Sequence, residues 1–79
     1  MTNLERYAKA FIDTFEIDSS LINSELSIMT LPAWDSVSHM NLVTALEEEF
    51  DLMFDTDDIL EFNSYDTGLA VLQRLGIEI

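Results

Sequence analysis

The dipeptide Asp35-Ser36 is the feature of this sequence that most directly suggests chemistry. Aspartate is a favourable N-cap, and Ser36 would then be the first residue of the helix that is predicted to follow. The first turn of a helix offers unpaired N–H groups and the positive end of the macrodipole, and both favour a phosphate group. Because Asp-Ser at a helix start is most often only a cap, the assignment of Ser36 depends on the rest of the chain.

His39 lies three residues after Ser36 and raises the alternative of a Ser–His nucleophile pair. Such a pair needs an orienting acid and an oxyanion hole, and the sequence contains no nucleophile elbow that would supply them. His39 also falls on the apolar stripe of the predicted helix. We therefore expect a hydrogen-bonded histidine at the edge of the core, and we predict no catalytic residue and no enzymatic activity.

The acids among residues 51–58 suggest a calcium loop, but their spacing does not match one. An EF-hand loop has an acid at its fifth position and glycine at its sixth, and counting from Asp55 places Ile59 and Leu60 there. The chain has no cysteine and one histidine, which excludes thiolate and multi-histidine metal centres. We predict no dedicated metal site.

Acidic residues dominate the charge of the chain, since sixteen acids stand against three bases and the net charge is −13. Fourteen of the acids lie between Asp13 and Asp66, in a segment without Lys or Arg. Such a surface repels nucleic-acid phosphates and anionic lipid. It attracts the basic surfaces of proteins, so we expect protein partners with basic patches, no nucleic acid and no membrane insertion.

The length of 79 residues allows one small domain, which we take as residues 1–79 and expect to be a monomer. No apolar run approaches the roughly 20 residues that a membrane helix needs. The first residues lack the basic-then-apolar order of a signal peptide, so we expect a cytoplasmic protein.

The spacing of apolar residues predicts an all-α fold, a small four-helix bundle with a long first loop. The first helix opens with a Thr2–Glu5 capping box and extends to Phe15, and a loop follows from Glu16 to Asp35. We expect apolar residues to attach this loop to the core at several points: Leu21, Ile22, Leu26, Ile28 and Leu31. Trp34 is expected to pack beneath the loop because of its large area, and contact with a partner is the less favoured reading.

The second helix starts with Asp35 as its cap and has two distinct faces. Its core stripe consists of His39, Leu42, Val43, Leu46 and Phe50. Its other face consists of Val37, Met40, Asn41, Thr44, Glu47 and Glu48. The run Glu47-Glu48-Glu49 stands at the C-terminal end, where the macrodipole disfavours negative charge, which indicates that these acids serve another purpose.

Two shorter helices complete the predicted bundle. The third runs from Asp55 or Thr56 to about Glu61, with Ile59 and Leu60 as its anchors. The fourth is capped by Asn63 or Ser64, and its apolar residues are Tyr65, Leu69, Val71, Leu72 and Leu75. Gly68 predicts close packing against a neighbouring helix, and Gly76 is expected to end the fourth helix.

The stretch Trp34-Asp35-Ser36-Val37, followed by the acidic helix that ends in Leu46-Glu47-Glu48-Glu49-Phe50, resembles the acyl carrier proteins. The likeness covers the whole chain, including its length, acidity, long first loop and short third helix. The resemblance implies that Ser36 carries 4′-phosphopantetheine, derived from coenzyme A, whose thiol holds acyl groups as thioesters. It also implies that Asp35 helps to bind the modifying transferase, near its metal ion.

The resemblance also implies which partners the protein has and where they bind. They would be a phosphopantetheinyl transferase, acyl-loading enzymes and acyl-using enzymes. We define the recognition face as the residues expected to meet them: Asp35, Val37, Met40, Asn41, Thr44, Glu47 and Glu48.

Three departures from the usual family pattern lie beside the serine or on the recognition face. Trp34 stands where many fatty-acid carriers have a small residue, Val37 replaces the usual Leu, and Thr44 replaces a common Met. The Trp-Asp-Ser sequence is similar to stand-alone carriers of specialised pathways. We therefore expect a role in a specialised biosynthetic pathway or in fatty-acid synthesis. The alternatives are an aminoacyl or D-alanyl carrier, and an unmodified acidic helical adaptor.

Overall fold

The computed structural model describes the whole chain, Met1–Ile79, as four α-helices, which confirms the all-α fold class. The helices are α1 (Asn3–Phe15), α2 (Ser36–Phe50), α3 (Thr56–Glu61) and α4 (Tyr65–Arg74). A short 3₁₀ turn lies within the first loop at Ser19–Leu21. None of the helices has the length and apolar character needed to cross a lipid bilayer.

Each helix begins at a capping residue that satisfies its first free N–H groups. The capping box between Thr2 and Glu5 is present at α1, and Asp35 caps α2. Asp55 caps α3 and Ser64 caps α4, which settles the two starts that the sequence left open by one residue. Polar side chains at these positions therefore mark where the four helices begin.

The core is a single cluster with members from α1, the first loop, α2, the residues on either side of α3, and α4. Its fourteen residues are Tyr7, Ala10, Phe11, Phe15, Leu26, Leu31, Trp34, Leu42, Val43, Leu46, Phe54, Phe62, Val71 and Leu72. Burying this apolar surface is the main favourable contribution to folding. The buried part of the predicted α2 stripe, Leu42, Val43 and Leu46, is confirmed.

The first loop is attached to the core by fewer residues than predicted. Leu26 and Leu31 are buried, whereas Leu21 and Ile28 are exposed, so the prediction is wrong for those two. Backbone hydrogen bonds fix the middle of the loop to the start of α4, from Ile28 N to Asn63 O (3.0 Å) and from Tyr65 N to Leu26 O (2.9 Å).

Of the two predicted anchors of α3, Ile59 is confirmed because it packs against the core, and Leu60 is wrong because it points outward with 72% of its surface exposed. Phe62, immediately after the helix, is buried instead. The helix is so short that one turn decides its inner face, and the buried side chain of Asp58 occupies that face. Asp58 caps the backbone of Asp55 and pairs with Arg74 of α4, so an ion pair joins α3 to α4 in addition to the contact of Ile59 with the core.

Both glycine predictions agree with the structure. A Cβ at Gly68 would collide with the Tyr7 hydroxyl and the Phe62 ring, so this glycine permits α4 to approach α1 closely. Gly76 follows α4 with φ +97°, a left-handed conformation that suits glycine at a helix end.

Candidate functional site

The first turn of α2 contains two serines in contrasting environments. The hydroxyl of Ser38 lies 2.7 Å from Ala33 O and 2.9 Å from Asp35 Oδ1, so it has partners on both sides. Ser36 is exposed, and its hydroxyl takes part in none of the side-chain hydrogen bonds of the chain. Of the two, only Ser36 presents a free nucleophilic oxygen to solvent.

Asp35 is fixed beside Ser36 by its capping interactions. Its carboxylate accepts a hydrogen bond of 2.9 Å from the backbone N–H of Ser38. This bond, supported by the Ser38 hydroxyl, lowers the pKa of Asp35 below its ordinary value. Asp35 is therefore a permanent negative charge at neutral pH, one residue from the free hydroxyl.

His39 has both ring nitrogens occupied, and neither is bonded to Ser36. Nδ1 accepts a hydrogen bond of 2.9 Å from the indole N–H of Trp34, and Nε2 lies 2.9 Å from Ile59 O. Because Nδ1 is an acceptor, the ring proton lies on Nε2 and is donated to Ile59. The expectation of a hydrogen-bonded histidine at the edge of the core is confirmed, and the structure shows His39 to be half-buried.

Trp34 packs beneath the turn that leads into α2, as expected, with only 2% of its surface exposed. Its ring centroid lies 5.3 Å from that of Phe15, 5.5 Å from that of Phe11 and 6.2 Å from that of Phe62. The His39 ring stacks on it at 6.0 Å. The hydrogen bond between Trp34 and His39 was not foreseen, although a buried indole N–H needs an acceptor and His39 is close in sequence.

Most of the recognition face is exposed. Val37 and Met40 have 71% and 48% of their surfaces exposed, and Asn41, Thr44 and Glu48 are also exposed. These residues therefore present apolar and charged groups to solvent on the helix that begins at Ser36.

The three consecutive glutamates at the end of α2 have different roles. Oε2 of Glu47 accepts a hydrogen bond of 2.9 Å from Phe54 N, which fixes the segment between α2 and α3. Glu49 pairs with Arg6 of α1 at 2.9 Å. Only Glu48 has no partner within the chain. Glu47 is therefore not a free charge, and its part in partner recognition remains a prediction.

Three acids around α3, Asp55, Asp58 and Glu61, are used in helix capping or in ion pairs with Arg74 of α4. Asp55 and Asp58 form a reciprocal capping box, and Arg74 also pairs with Glu61 at 2.6 Å. The hydrogen bond from Arg74 is the main cause that lowers the pKa of Asp58. No three acidic or histidine side chains lie close enough together to hold a metal ion.

Comparison of the sequence with protein-family models and with curated proteins gives no match for this chain. A function is therefore inferred from the residues and contacts of the chain itself.

Proposed function

We propose that this chain is an acyl carrier protein, which holds acyl groups as thioesters on a 4′-phosphopantetheine arm joined to Ser36 through a phosphodiester. The observation that carries the proposal is the free, exposed hydroxyl of Ser36 at the first position of a 15-residue helix. Because this hydroxyl has no partner in the chain, it can be esterified without the loss of a native hydrogen bond. The resemblance of the surrounding sequence to acyl carrier proteins supports the same residue.

The residues around Ser36 fit a phosphodiester. The positive end of the α2 macrodipole favours its negative charge. Asp35 opposes it, since its carboxylate is ionised and already binds the N–H of Ser38. A cation supplied by the transferase would offset this repulsion. We propose that Asp35 lies near that cation and so helps the transferase to bind.

The arm, when attached, supplies the thiol that binds acyl groups, and the chain supplies the attachment point and a docking surface. In this proposal the chain is not an enzyme, and its partners are a transferase, acyl-loading enzymes and acyl-using enzymes of the cytoplasm. Val37 and Met40 would give apolar contacts near the arm, because both are exposed. Glu48 would meet basic groups of the partner.

The test is modification in vitro. The purified chain is incubated with coenzyme A, Mg²⁺ and a broad-specificity phosphopantetheinyl transferase, and its intact mass is measured. We expect the gain of one phosphopantetheine group, which peptide mapping should locate on Ser36. Ser36→Ala should abolish the gain and leave the fold intact, since Asp35 still caps α2.

Ser38→Ala is the matched control, because it removes a hydroxyl from the same helical turn. We expect this variant to be modified, because the hydroxyl that it lacks binds Ala33 O and Asp35 Oδ1 in the wild-type chain and is not the proposed attachment point. Modification of any serine other than Ser36 would contradict the assignment. A wild-type chain that stays unmodified with several transferases would favour the alternative, an acidic adaptor that binds proteins without an arm.

A further inference from the structure

The region of the core nearest to Ser36 is occupied by Trp34. This residue precedes Ser36 by two positions, and its ring contacts aromatic residues of α1 and Phe62 at centroid distances of 5.3–6.2 Å. An apolar chain attached at Ser36 would lower its free energy by entering this core. Protein interiors are closely packed, however, so the chain could enter only where a cavity exists or a side chain moves aside.

Neither cavity of the structure offers such a space. One is a groove of about 270 Å³ between α1 and α2, where Arg6, Lys9 and Glu49 contribute to its wall. The other, of about 340 Å³, lies along the first loop beside Leu21, Leu26 and Leu31. Both are open to solvent, and no aromatic core residue lines either of them.

Moving Trp34 aside is also opposed by its hydrogen bonds. Its N–H is bound to His39 Nδ1, and His39 is bound through Nε2 to Ile59 O of α3. Displacing the indole would leave a buried donor and the Nδ1 acceptor without partners, which is unfavourable. The same hydrogen bonds join the turn before Ser36 to α2 and α3, so they close the core at the point where an entering chain would have to separate these elements.

We infer that Trp34, held in place by His39, closes the core to cargo attached at Ser36. The carrier would then present its cargo in solvent and would suit short or polar acyl groups, aminoacyl groups included, and not long alkyl chains. This inference rests on the proposed function, because it concerns the cargo of the same serine. It identifies Trp34 as a specificity-determining residue and His39 as the residue that positions it.

The experiment attaches chains to residue 36 chemically, so that it does not require a transferase. Ser36→Cys introduces a unique thiol, because the chain has no cysteine. One sample receives an octyl chain through a disulfide, and a second receives an oligoether chain of the same length. The melting temperature and the emission of Trp34, the single tryptophan, are measured for both.

We expect the two conjugates to melt at the same temperature and to show the same tryptophan emission. An octyl conjugate that melts higher than its oligoether control would overturn the inference, and a shift in emission would place the chain beside Trp34. The melting temperatures are measured at two protein concentrations, so that stabilisation by self-association through the octyl chains is recognised by its dependence on concentration.

The same pair of conjugates is then compared in a Trp34→Ala background, where the core is opened. Here the octyl chain should raise the melting temperature by roughly 4 °C or more over the oligoether chain, because it fills the new cavity. Trp34→Leu replaces this background if the alanine variant does not fold. If the octyl chain raises the melting temperature in neither Trp34 variant, Trp34 is not what closes the core. A failure of transferase modification would contradict the proposed function and leave this result unaffected.

Discussion

The two ends of α2 differ in how completely their polar groups are partnered. At the N-terminal end Asp35, Ser38, Trp34 and His39 all have hydrogen-bond partners, and the hydroxyl of Ser36 is the one left free. At the C-terminal end three identical side chains stand in a row, and two of them are used within the chain. The contrast shows that neighbouring polar groups of α2 differ in availability, and that the Ser36 hydroxyl and the Glu48 carboxylate are the ones left for contacts outside the chain.

The difference arises from helix geometry and from what lies next to each position. Consecutive residues of a helix point about 100° apart, so adjacent glutamates face different neighbours. Glu47 meets the backbone of the segment after α2, Glu49 meets Arg6, and Glu48 meets solvent. The variants below separate structural contributions from functional ones at each end, in order of the expected effect.

Trp34→Ala should have the largest effect, a loss of about 3–5 kcal/mol in the free energy of unfolding, because it removes a buried ring and leaves a cavity. Urea denaturation measures it. The matched control is Val37→Ala in the next turn, which should change stability little because Val37 is exposed. If both variants lose the same small amount of unfolding free energy, the start of α2 is not organised around Trp34.

His39→Leu should destabilise the protein by about 1–3 kcal/mol, since it leaves the Trp34 N–H and Ile59 O unpaired in a half-buried site. His39→Gln retains one acceptor and one donor, so we expect a smaller loss. Combining each variant with Trp34→Phe, which lacks the indole N–H, gives a double-mutant cycle. Additive effects in the cycle would mean that the hydrogen bond between Trp34 and His39 contributes nothing.

The sequence predicted the fold and the position of the candidate site because both depend on local signals. Caps, helical periodicity and the glycine positions are set by neighbours within one or two turns. The Asp35-Ser36 start of α2 is such a signal, and the structure has the helix begin there.

The contacts that distinguish one glutamate from the next join residues that are distant in sequence. Arg6 and Glu49 are 43 positions apart, and the backbone of Ile59 lies 20 positions from His39. No periodicity within a helix encodes such pairs. The ion pair between Asp58 of α3 and Arg74 of α4, 16 positions apart, is a further contact of this kind, and it accompanies the burial of Asp58 while Leu60 faces solvent.

Glu47→Ala should cost about 1 kcal/mol, because the N–H of Phe54 loses its acceptor. Glu48→Ala is the matched control on the adjacent residue and should leave the free energy of unfolding unchanged, since Glu48 has no partner. Chemical denaturation of both variants under identical conditions gives the two free energies of unfolding to be compared. Equal losses would show that the two glutamates are equivalent, contrary to the structure.

Acid should lower the free energy of unfolding by protonating Asp35, the cap of α2. Its pKa is lowered in the folded protein by the hydrogen bond from Ser38 N, so the unfolded chain takes up the proton first as pH falls. The stabilisation is fully present above about pH 4, the ordinary value for the group, and is lost as the pH falls through the lower folded pKa. Asparagine caps a helix about as well and does not titrate, so the stability difference between wild type and Asp35→Asn should change below pH 4 and stay constant above it. A difference that is constant from pH 7 to pH 2.5 would contradict this.

Glu48→Lys should change stability least and partner association most, because the charge is exposed and unpartnered. Exposed charges mainly set the association rate and its dependence on salt, whereas apolar contacts near the centre of an interface slow dissociation. We therefore expect Glu48→Lys to slow the association of a transferase or a loading enzyme and to flatten its salt dependence, and Val37→Asp to act through faster dissociation.

Glu47→Lys is the control that separates an effect on binding from an effect on stability, since its effect on binding should come with a loss of stability that Glu48→Lys does not show. Stopped-flow kinetics on the phosphopantetheine-bearing protein at two ionic strengths measures these rates. If Glu48→Lys leaves the association rate and its salt dependence unchanged for every partner, the free charge of α2 serves only solubility, and the docking surface lies elsewhere than on the recognition face.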